Sequence, residues 1–209
     1  MFVFEAAGIG SPAHFRRMLE LAHILKYSHE TQKAVDLLQN ENPDTALLEI
    51  ETLGANGLRY RMRTKNERRW HERRAFAPPR LSDAAGSGDW LTAGLIDQLC
   101  RAGVAGLRTI DMTSLIAALD YAQSLSAWNC AFEGARGGMY GMTPSRLAAV
   151  AADIRAHTGE TKLLDKERGG VSQGAFCGEC ARPEAAKKIK SSPPQDRSRT
   201  KRKSGLAGA

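Results

Sequence analysis

A short run of small and acidic residues stands directly before an apolar segment near the middle of the chain. It reads Asp-Ala-Ala-Gly-Ser-Gly-Asp, from Asp83 to Asp89, and Trp-Leu-Thr-Ala-Gly-Leu-Ile follows it. Glycine and other small residues let the backbone N–H groups of a turn approach a ligand closely, and a helix N-terminus adds further donors and a positive dipole end. This stretch, the 83–89 turn, therefore has the residues of a site for an anion such as a phosphate group.

Asp89 closes this run, although a carboxylate would repel a bound phosphate. Its position has a use if it takes a proton from an attacking hydroxyl group, which is general-base catalysis. A simpler interpretation stays open beside this one. Asp is also a preferred helix N-cap, and Gly-Ser-Gly-Asp before Leu and Ile is typical of a plain turn that starts a helix.

Strands and helices alternate along the rest of the chain. Helical spacing of apolar residues predicts helices over about residues 12–22, 29–38, 89–101, 112–132 and 143–157. Short apolar runs predict strands over residues 24–27, 46–51 and 58–62. Residues 63–80 are basic and polar and are interpreted as a surface loop or an irregular edge. This alternation favours a layered α/β fold.

The composition indicates one domain followed by an extension. The chain is 42% hydrophobic, which is enough for residues 1–157 to bury a core. Residues 158–209 have the composition of a mostly disordered basic tail. No segment reaches the length of a membrane span, and the N-terminus lacks the pattern of a signal peptide. We therefore expect a cytoplasmic protein without a membrane partner.

The net charge of +7 suggests a nucleic-acid partner until the charge is located along the chain. Residues 181–209 hold nine of the 30 Lys and Arg and two of the 23 Asp and Glu, so the remainder of the chain is balanced. This segment also lacks the aromatic residues that stack on bases. Nucleic acid is therefore not expected as a partner.

Three segments, in matching order and at similar spacing, resemble the ribokinase-like sugar kinases, the phosphofructokinase-B type family. The 83–89 turn is similar to the family signature D-T-x-G-A-G-D, with Ala84 and Ser87 as small replacements. Glu51–Gly57 (E-T-L-G-A-N-G) resembles the V-T-L-G-x-x-G turn of the nucleotide site. Ala127–Met139 resembles the A-N-x-A…R-x-G-A stretch that closes over the adenine. The resemblance covers about residues 1–157.

The resemblance implies a fold and an activity. The fold is a ribokinase-like three-layer α/β/α sandwich. The activity is that of an ATP-dependent carbohydrate kinase, a phosphotransferase that moves the γ-phosphate of ATP, with Mg²⁺, to a hydroxyl group of a small acceptor, either a sugar or a nucleoside.

Carried over by position, the resemblance makes Asp89 the general base. It assigns the transferring phosphoryl group to an anion hole formed by the backbone of residues 85–88, with Gly86, Ser87 and Gly88 as its catalytic members. Asp83 is expected to support the turn or to hold water around a cation. The expected ATP-binding residues are Thr52, Gly54, Gly57, Ala85 and Asn129, with Asn129 beside the adenine.

Two departures from the family affect these expectations. The family carries N-x-x-E after its K-x-N strand, whereas this chain has Ser28-His29-Glu30-Thr31, which leaves Glu30 as a weak candidate for holding Mg²⁺. The match also begins midway through the family's fold, so we expect the N-terminal half, with most acceptor contacts, to be missing. The alternative function is then a truncated, catalytically idle nucleotide-binding fragment. The expected protein partner is the missing half or a second copy in a homodimer.

Two further features are weighed separately. Cys177 and Cys180 have the spacing of zinc ligands, but no second pair and no His-x-x-x-His follows them. Because a structural zinc site needs four ligands, incidental cysteines in the tail are favoured. Trp90, directly after the expected base, either borders the acceptor site or packs in the core.

Overall fold

A computed structural model describes residues 1–7, 10–39, 46–63, 69–140 and 142–156. All of them belong to one unit of the chain, Met1–Gly170. The expected tail from residue 158, including Cys177 and Cys180, lies outside the described residues, so the domain boundary and the Cys pair stay predictions. Among the described helices, none is both long enough and apolar enough to cross a membrane.

The described strands form one mixed sheet in which spatial order follows chain order. The strands are β1 (Val3–Ala6), β2 (Ile24–Ser28), β3 (Leu48–Thr52), β4 (Leu58–Met62) and β5 (His71–Arg73). β1, β2 and β3 are parallel, whereas β4 and β5 are each antiparallel to the preceding strand. The carboxyl ends of the three parallel strands therefore lie at one edge of the sheet, where α/β proteins commonly bind ligands.

Six helices accompany the sheet in the described part of the chain. They are α1 (Pro12–Leu21), α2 (Gln32–Gln39), α3 (Ser87–Leu99), α4 (Gly103–Thr109), α5 (Met112–Asn129) and α6 (Pro144–Ala156), with short 3₁₀ turns at Gly54–Asn56 and Gly137–Met139. Residues at the N-terminus explain where several of these helices begin. Proline occupies the first position of α1, where its missing N–H costs nothing, and the Asp111 carboxylate caps α5 by accepting from the N–H of Ser114.

Two apolar clusters lie on opposite faces of the sheet and produce three layers. Leu48 and Ile50 of β3 pack with residues of α3 and α5, such as Leu95 and Leu119. Leu25 and Tyr27 of β2 pack on the other face with residues of α1 and α2, among them Phe15, Leu19 and Val35. Successive strand residues point to opposite faces, which is how one short strand serves both clusters. The predicted three-layer α/β/α arrangement is confirmed.

Three elements were missed by the sequence analysis. β1 and α4 were not predicted, and β5 lies inside residues 63–80, which were interpreted as a surface loop or irregular edge. β5 has a polar sequence, and its order depends on neighbours: the His71 ring stacks on Tyr60, and the Arg73 guanidinium pairs with Asp120 of α5. No alternation of apolar residues marks such a strand in advance.

Charged side chains are buried on the face of the sheet that carries α1 and α2. The Glu49 carboxylate is fully buried and accepts from Tyr27 Oη at 2.8 Å, Arg61 Nε at 2.8 Å and Arg63 Nη2 at 2.6 Å. Burial raises the pKa of Glu49, but the Arg63 and Arg61 guanidinium groups and the hydrogen bond from Tyr27 together outweigh it, so the pKa lies below its usual value. Burial, together with the Glu49 charge, raises the pKa of Tyr27, whose hydroxyl therefore remains a donor.

We expect Glu49→Gln to lower the free energy of unfolding by about 3 kcal/mol, because it leaves two partly buried guanidinium groups facing a neutral amide. Glu20→Gln is the control, since the Arg17–Glu20 pair is exposed and its loss should cost less than about 1 kcal/mol. Urea unfolding followed by circular dichroism measures both. Equal small losses would show that the buried charge is not a major support of the sheet.

Candidate anion-binding site

Gly86 shapes the 83–89 turn as the N-cap of α3. Its backbone is left-handed, with φ of 75° and ψ of 0°, a conformation that residues with a Cβ rarely adopt. A Cβ at this position would lie 2.5 Å from the Cβ and 2.6 Å from the Cα of Ala135. The left-handed backbone conformation and the close packing against Ala135 in the 127–139 segment both require glycine here.

Asp83 fastens the start of the turn to the same segment. Its Oδ1 accepts from the N–H of Ala85 at 2.9 Å, and its Oδ2 accepts from the N–H of Gly134, also at 2.9 Å. These backbone hydrogen bonds favour the charged carboxylate and lower the pKa of Asp83. Asp83 thus supports the turn, as expected for one of its two roles.

Asn129 at the end of α5 makes a hydrogen bond that supports the 83–89 turn. It is fully buried, and its Nδ2 donates to the carbonyl of Ala85 at 2.7 Å. Its Oδ1 is buried without a hydrogen-bond partner among the described residues. A buried acceptor left unpaired is costly, so a donor from a ligand or a water would be favourable there. Its expected place beside the adenine stays a prediction.

Trp90 joins the first turn of α3 to the loop that follows α5. Its Nε1 donates to the carbonyl of Ala135 at 3.0 Å, and its ring packs with Phe132 and Leu147 against a buried cluster around Trp128. Of the two roles that the sequence left open for Trp90, the structure shows the core contact.

Backbone N–H groups at the start of α3 divide into used and available donors. Within the turn, Ala85 donates to Asp83 and Ser87 donates to the carbonyl of Ala84 at 3.1 Å. For the N–H groups of Gly86, Gly88 and Asp89, no acceptor occurs among the described residues. Donors at a helix N-terminus are normally free in this way and carry the positive end of the helix dipole. The arrangement can bind an anion.

Asp89 is the third residue of α3 and is exposed. The N-cap of this helix is Gly86, so the interpretation of Asp89 as a plain cap is wrong: the left-handed glycine starts the helix two residues earlier than predicted. Within the part of the chain that the structure describes, the Asp89 carboxylate has no hydrogen-bond or ion-pair partner. It is available to a molecule bound at the turn.

Gly88 differs from Gly86 in what surrounds it. A Cβ there would lie 3.5 Å from Lys26 Nζ and 3.6 Å from Glu5 Oε1, which are ordinary contact distances, and its φ is not positive. A methyl group therefore fits at position 88, whereas a larger side chain would meet a partly buried ion pair. The sequence offered no sign of Glu5 and Lys26 at this site, because they approach from β1 and β2.

The second predicted segment lies at the carboxyl edge of the sheet. Thr52 ends β3 and its Oγ1 donates to the carbonyl of Tyr27 at 3.3 Å. Gly54 and Gly57 have φ of 58° and 101°, and a Cβ on Gly57 would overlap the carbonyl of Arg73 at 2.1 Å. No hydrogen bond joins this segment to the 83–89 turn among the described residues. The turn and the 127–139 segment are brought together, but a shared site with residues 52–57 stays a prediction.

Glu30, the candidate for holding Mg²⁺, is exposed in the turn that follows β2. In the described part of the chain, no three His, Cys, Asp or Glu side chains lie close enough together to hold a metal ion. Mg²⁺ usually binds through one or two carboxylates together with substrate phosphates and water. A role for Glu30 would therefore depend on a bound nucleotide.

No family model and no curated protein matches the chain. Among solved structures, a nucleoside kinase from Burkholderia thailandensis in complex with inosine matches with a TM-score of 0.57 and 21% identity, over 75% of this chain and 49% of its own. A fructokinase from Xylella fastidiosa with bound ATP matches with a TM-score of 0.56 and 18% identity, over 72% of this chain and 51% of its own.

Aminoimidazole riboside kinase from Salmonella enterica, in complex with aminoimidazole riboside and an ATP analog, matches with a TM-score of 0.54 and 20% identity, over 71% of this chain and 51% of its own. The chain thus has the ribokinase-like α/β fold, as the motifs predicted. It spans about half the length of these solved structures.

The contrast between the two glycines can be measured directly. We expect Gly86→Ala to destabilise the protein by about 2 kcal/mol or more, because alanine would be strained in the left-handed backbone conformation and its methyl group would overlap Ala135. Gly88→Ala should change stability by less than about 1 kcal/mol. Thermal unfolding measures both, and calorimetry with inorganic tripolyphosphate measures anion binding, which only Gly86→Ala should abolish. Equal effects of the two substitutions would contradict this account of the turn.

Asp83→Asn tests the carboxylate that fastens the turn. Because the pKa of Asp83 is lowered in the folded protein, its stabilising contribution is complete above the ordinary carboxyl pKa and is lost as the pH falls through the lowered value. We expect wild type to be more stable than Asp83→Asn at about pH 7, and the difference to shrink below about pH 4. Urea unfolding across this range measures it; a difference independent of pH would rule out the charged acceptor.

Proposed function

We propose that the chain is the nucleotide-binding and catalytic part of an ATP-dependent sugar or nucleoside kinase. The observation that carries this proposal is the start of α3, where the N–H groups of Gly86, Gly88 and Asp89 have no acceptor among the described residues and stand beside the exposed Asp89 carboxylate. An anion site next to an available base is what phosphoryl transfer to a hydroxyl group requires. Because a fold can host several functions, the proposal rests on this site rather than on the fold alone.

The similar structures support ATP as the phosphoryl donor. The fructokinase has bound ATP, and the aminoimidazole riboside kinase is in complex with aminoimidazole riboside and an ATP analog. In this chain, the Asn129 side chain contacts the turn at Ala85, and its buried Oδ1 has no hydrogen-bond partner among the described residues. Because the Asn129 side chain is fully buried, its observed role is to support the turn, and its place beside the adenine stays a proposal. Thr52, Gly54 and Gly57 remain proposed as further residues of the ATP site.

The proposed reaction uses two properties of the chain. The oxygen atoms of the transferring phosphoryl group accept hydrogen bonds from the free N–H groups of the turn, which stabilise negative charge with little rearrangement. The Asp89 carboxylate takes the proton of the acceptor hydroxyl group while the oxygen of that hydroxyl group forms a bond to phosphorus. The bond from phosphorus to the bridging oxygen breaks, and that oxygen leaves with the diphosphate.

Mg²⁺ is part of the proposal through the nucleotide. When bound, it would neutralise charge on the phosphate oxygens, which is its usual contribution in phosphoryl transfer. Glu30 is the carboxylate proposed to hold it, directly or through water. No step of the mechanism depends on this assignment.

A second candidate function is a catalytically idle nucleotide-binding fragment. It is favoured by the length of the match, because the chain spans only about half of the kinases that it resembles. Contacts with the acceptor from the other half of such a fold would have to come from another polypeptide segment or a second copy of the chain. Both functions share the anion site and differ in whether phosphate is transferred.

Asp89→Asn separates nucleotide binding from catalysis. We expect ATP affinity to hold or rise slightly, because a negative charge near the phosphates is removed. Turnover should fall by about 10²–10⁴-fold, the usual contribution of a positioned general base. Calorimetry with ATP and an assay for ADP release with a panel of sugars and nucleosides measure the two properties.

Asp97→Asn is the matched control, because Asp97 lies on the same helix and pairs with Arg101 at the far end from the turn. It should change neither affinity nor turnover. Wild-type turnover in Asp89→Asn would contradict the assignment of the base. ATP binding without turnover for any acceptor would favour the idle fragment, and a chain that does not bind ATP would contradict both candidate functions.

A further inference from the structure

A partly buried ion pair lies beneath the first turn of α3. Lys26 of β2 and Glu5 of β1 are register partners in the parallel pair, and their side chains form a salt bridge. The Lys26 side chain is only 3% exposed, whereas that of Glu5 is 34% exposed. Both side chains point to the face of the sheet that carries α3, since Lys26 Nζ and Glu5 Oε1 come within 3.5 Å and 3.6 Å of the place where a Cβ of Gly88 would stand.

Thr92 connects this pair to the helix one turn farther along. Its Oγ1 donates to Glu5 Oε2 at 2.6 Å and also lies 3.1 Å from the carbonyl oxygen of Gly88. The shorter contact, to a carboxylate, is the stronger of the two. The pair thus contacts α3 through Thr92 and lies close to Gly88 in the first turn, whose N–H group has no acceptor among the described residues.

Stability alone does not account for a charged pair at this place. Burying an ammonium group is costly, and replacing a buried ion pair with apolar residues is often neutral or stabilising. Apolar residues such as Ile24 and Leu48 form the core on this face of the sheet. A hydrogen bond such as that from Thr92 to Glu5 is directional, unlike an apolar contact, and it therefore fixes the position of the first turns of α3 on the sheet.

We propose that Lys26 and Glu5 are positioning residues for the 83–89 turn. By holding Thr92, four residues after Gly88, on the sheet, the pair sets the direction of the N–H groups at the start of α3 that have no acceptor among the described residues. The proposal rests on the proposed function, since it concerns the same anion site. It predicts that the pair governs how much more tightly the site binds a nucleoside triphosphate than the corresponding nucleoside.

The test is a double-mutant cycle on the full 209-residue chain with Lys26→Met, Glu5→Gln and both together. Calorimetry gives the ratio of ATP affinity to adenosine affinity, and urea unfolding gives stability. Each single substitution should lower the ratio about tenfold, as the weakening of a hydrogen bond to a charged group would. The double variant should regain stability because no buried charge is left without its partner, but its ratio should stay low.

Two further variants guard against a simple loss of folding. Thr92→Val removes only the hydroxyl contact and should lower the ratio about threefold, in keeping with a modest hydrogen bond. Asp120→Asn is the matched control, because Arg73 and Asp120 also join the sheet to a helix, through β5 and α5 rather than α3. It should reduce stability and leave the ratio unchanged.

The outcomes separate positioning from a structural role. A ratio that recovers with stability in the double variant, or that falls equally in Asp120→Asn, would overturn the proposal. The proposal would also be overturned if the wild-type chain binds ATP but none of the substitutions changes the ratio of ATP affinity to adenosine affinity. In that case the proposed function would stand. A wild-type chain that binds neither ATP nor adenosine would overturn the proposed function, and this proposal would fall with it.

Discussion

Position 86 can carry no side chain, and the candidate site depends on this constraint. The left-handed backbone of Gly86 ends the loop and starts α3, and Ala135 lies against it where a Cβ would stand. Asp83, Asn129 and Trp90 add hydrogen bonds between the turn and the end of α5 or the loop beyond it. These contacts hold the turn from several sides, while the N–H groups of Gly86, Gly88 and Asp89 at its end have no acceptor among the described residues.

Charged pairs lie on both faces of the sheet. On the α1 and α2 face, Glu51 is buried against Arg59, and Glu49 is buried against Arg61 and Arg63. On the other face, Arg73 of β5 pairs with Asp120 of α5, and Glu5 pairs with Lys26 under the start of α3. The arginines let the two carboxylates of β3 stay buried. The Glu5–Lys26 pair lies under the candidate site, which is why it is assigned a role in positioning.

The shared fold and the candidate site contribute different kinds of evidence. Similarity to nucleoside kinase, fructokinase and riboside kinase structures extends over about half of each of those chains and shows the ribokinase-like fold. It does not by itself give this chain an activity. The chemistry is argued from the turn, where free donors and an exposed carboxylate occur together, and the relatives then indicate which substrates to try first.

Local features of the sequence were sufficient for much of the architecture. Proline after Ser11 and after Thr143, and apolar residues at helical spacing, marked the helices near their observed positions, because caps and periodicity act within a few neighbouring residues. The glycines of the 83–89 turn likewise indicated an anion site. Only the tertiary structure decided which contacts hold the turn in place, since Asn129 reaches Ala85 from 44 residues away and Lys26 reaches Glu5 from the next strand. Such contacts depend on how the layers pack, and no periodicity in the chain encodes them.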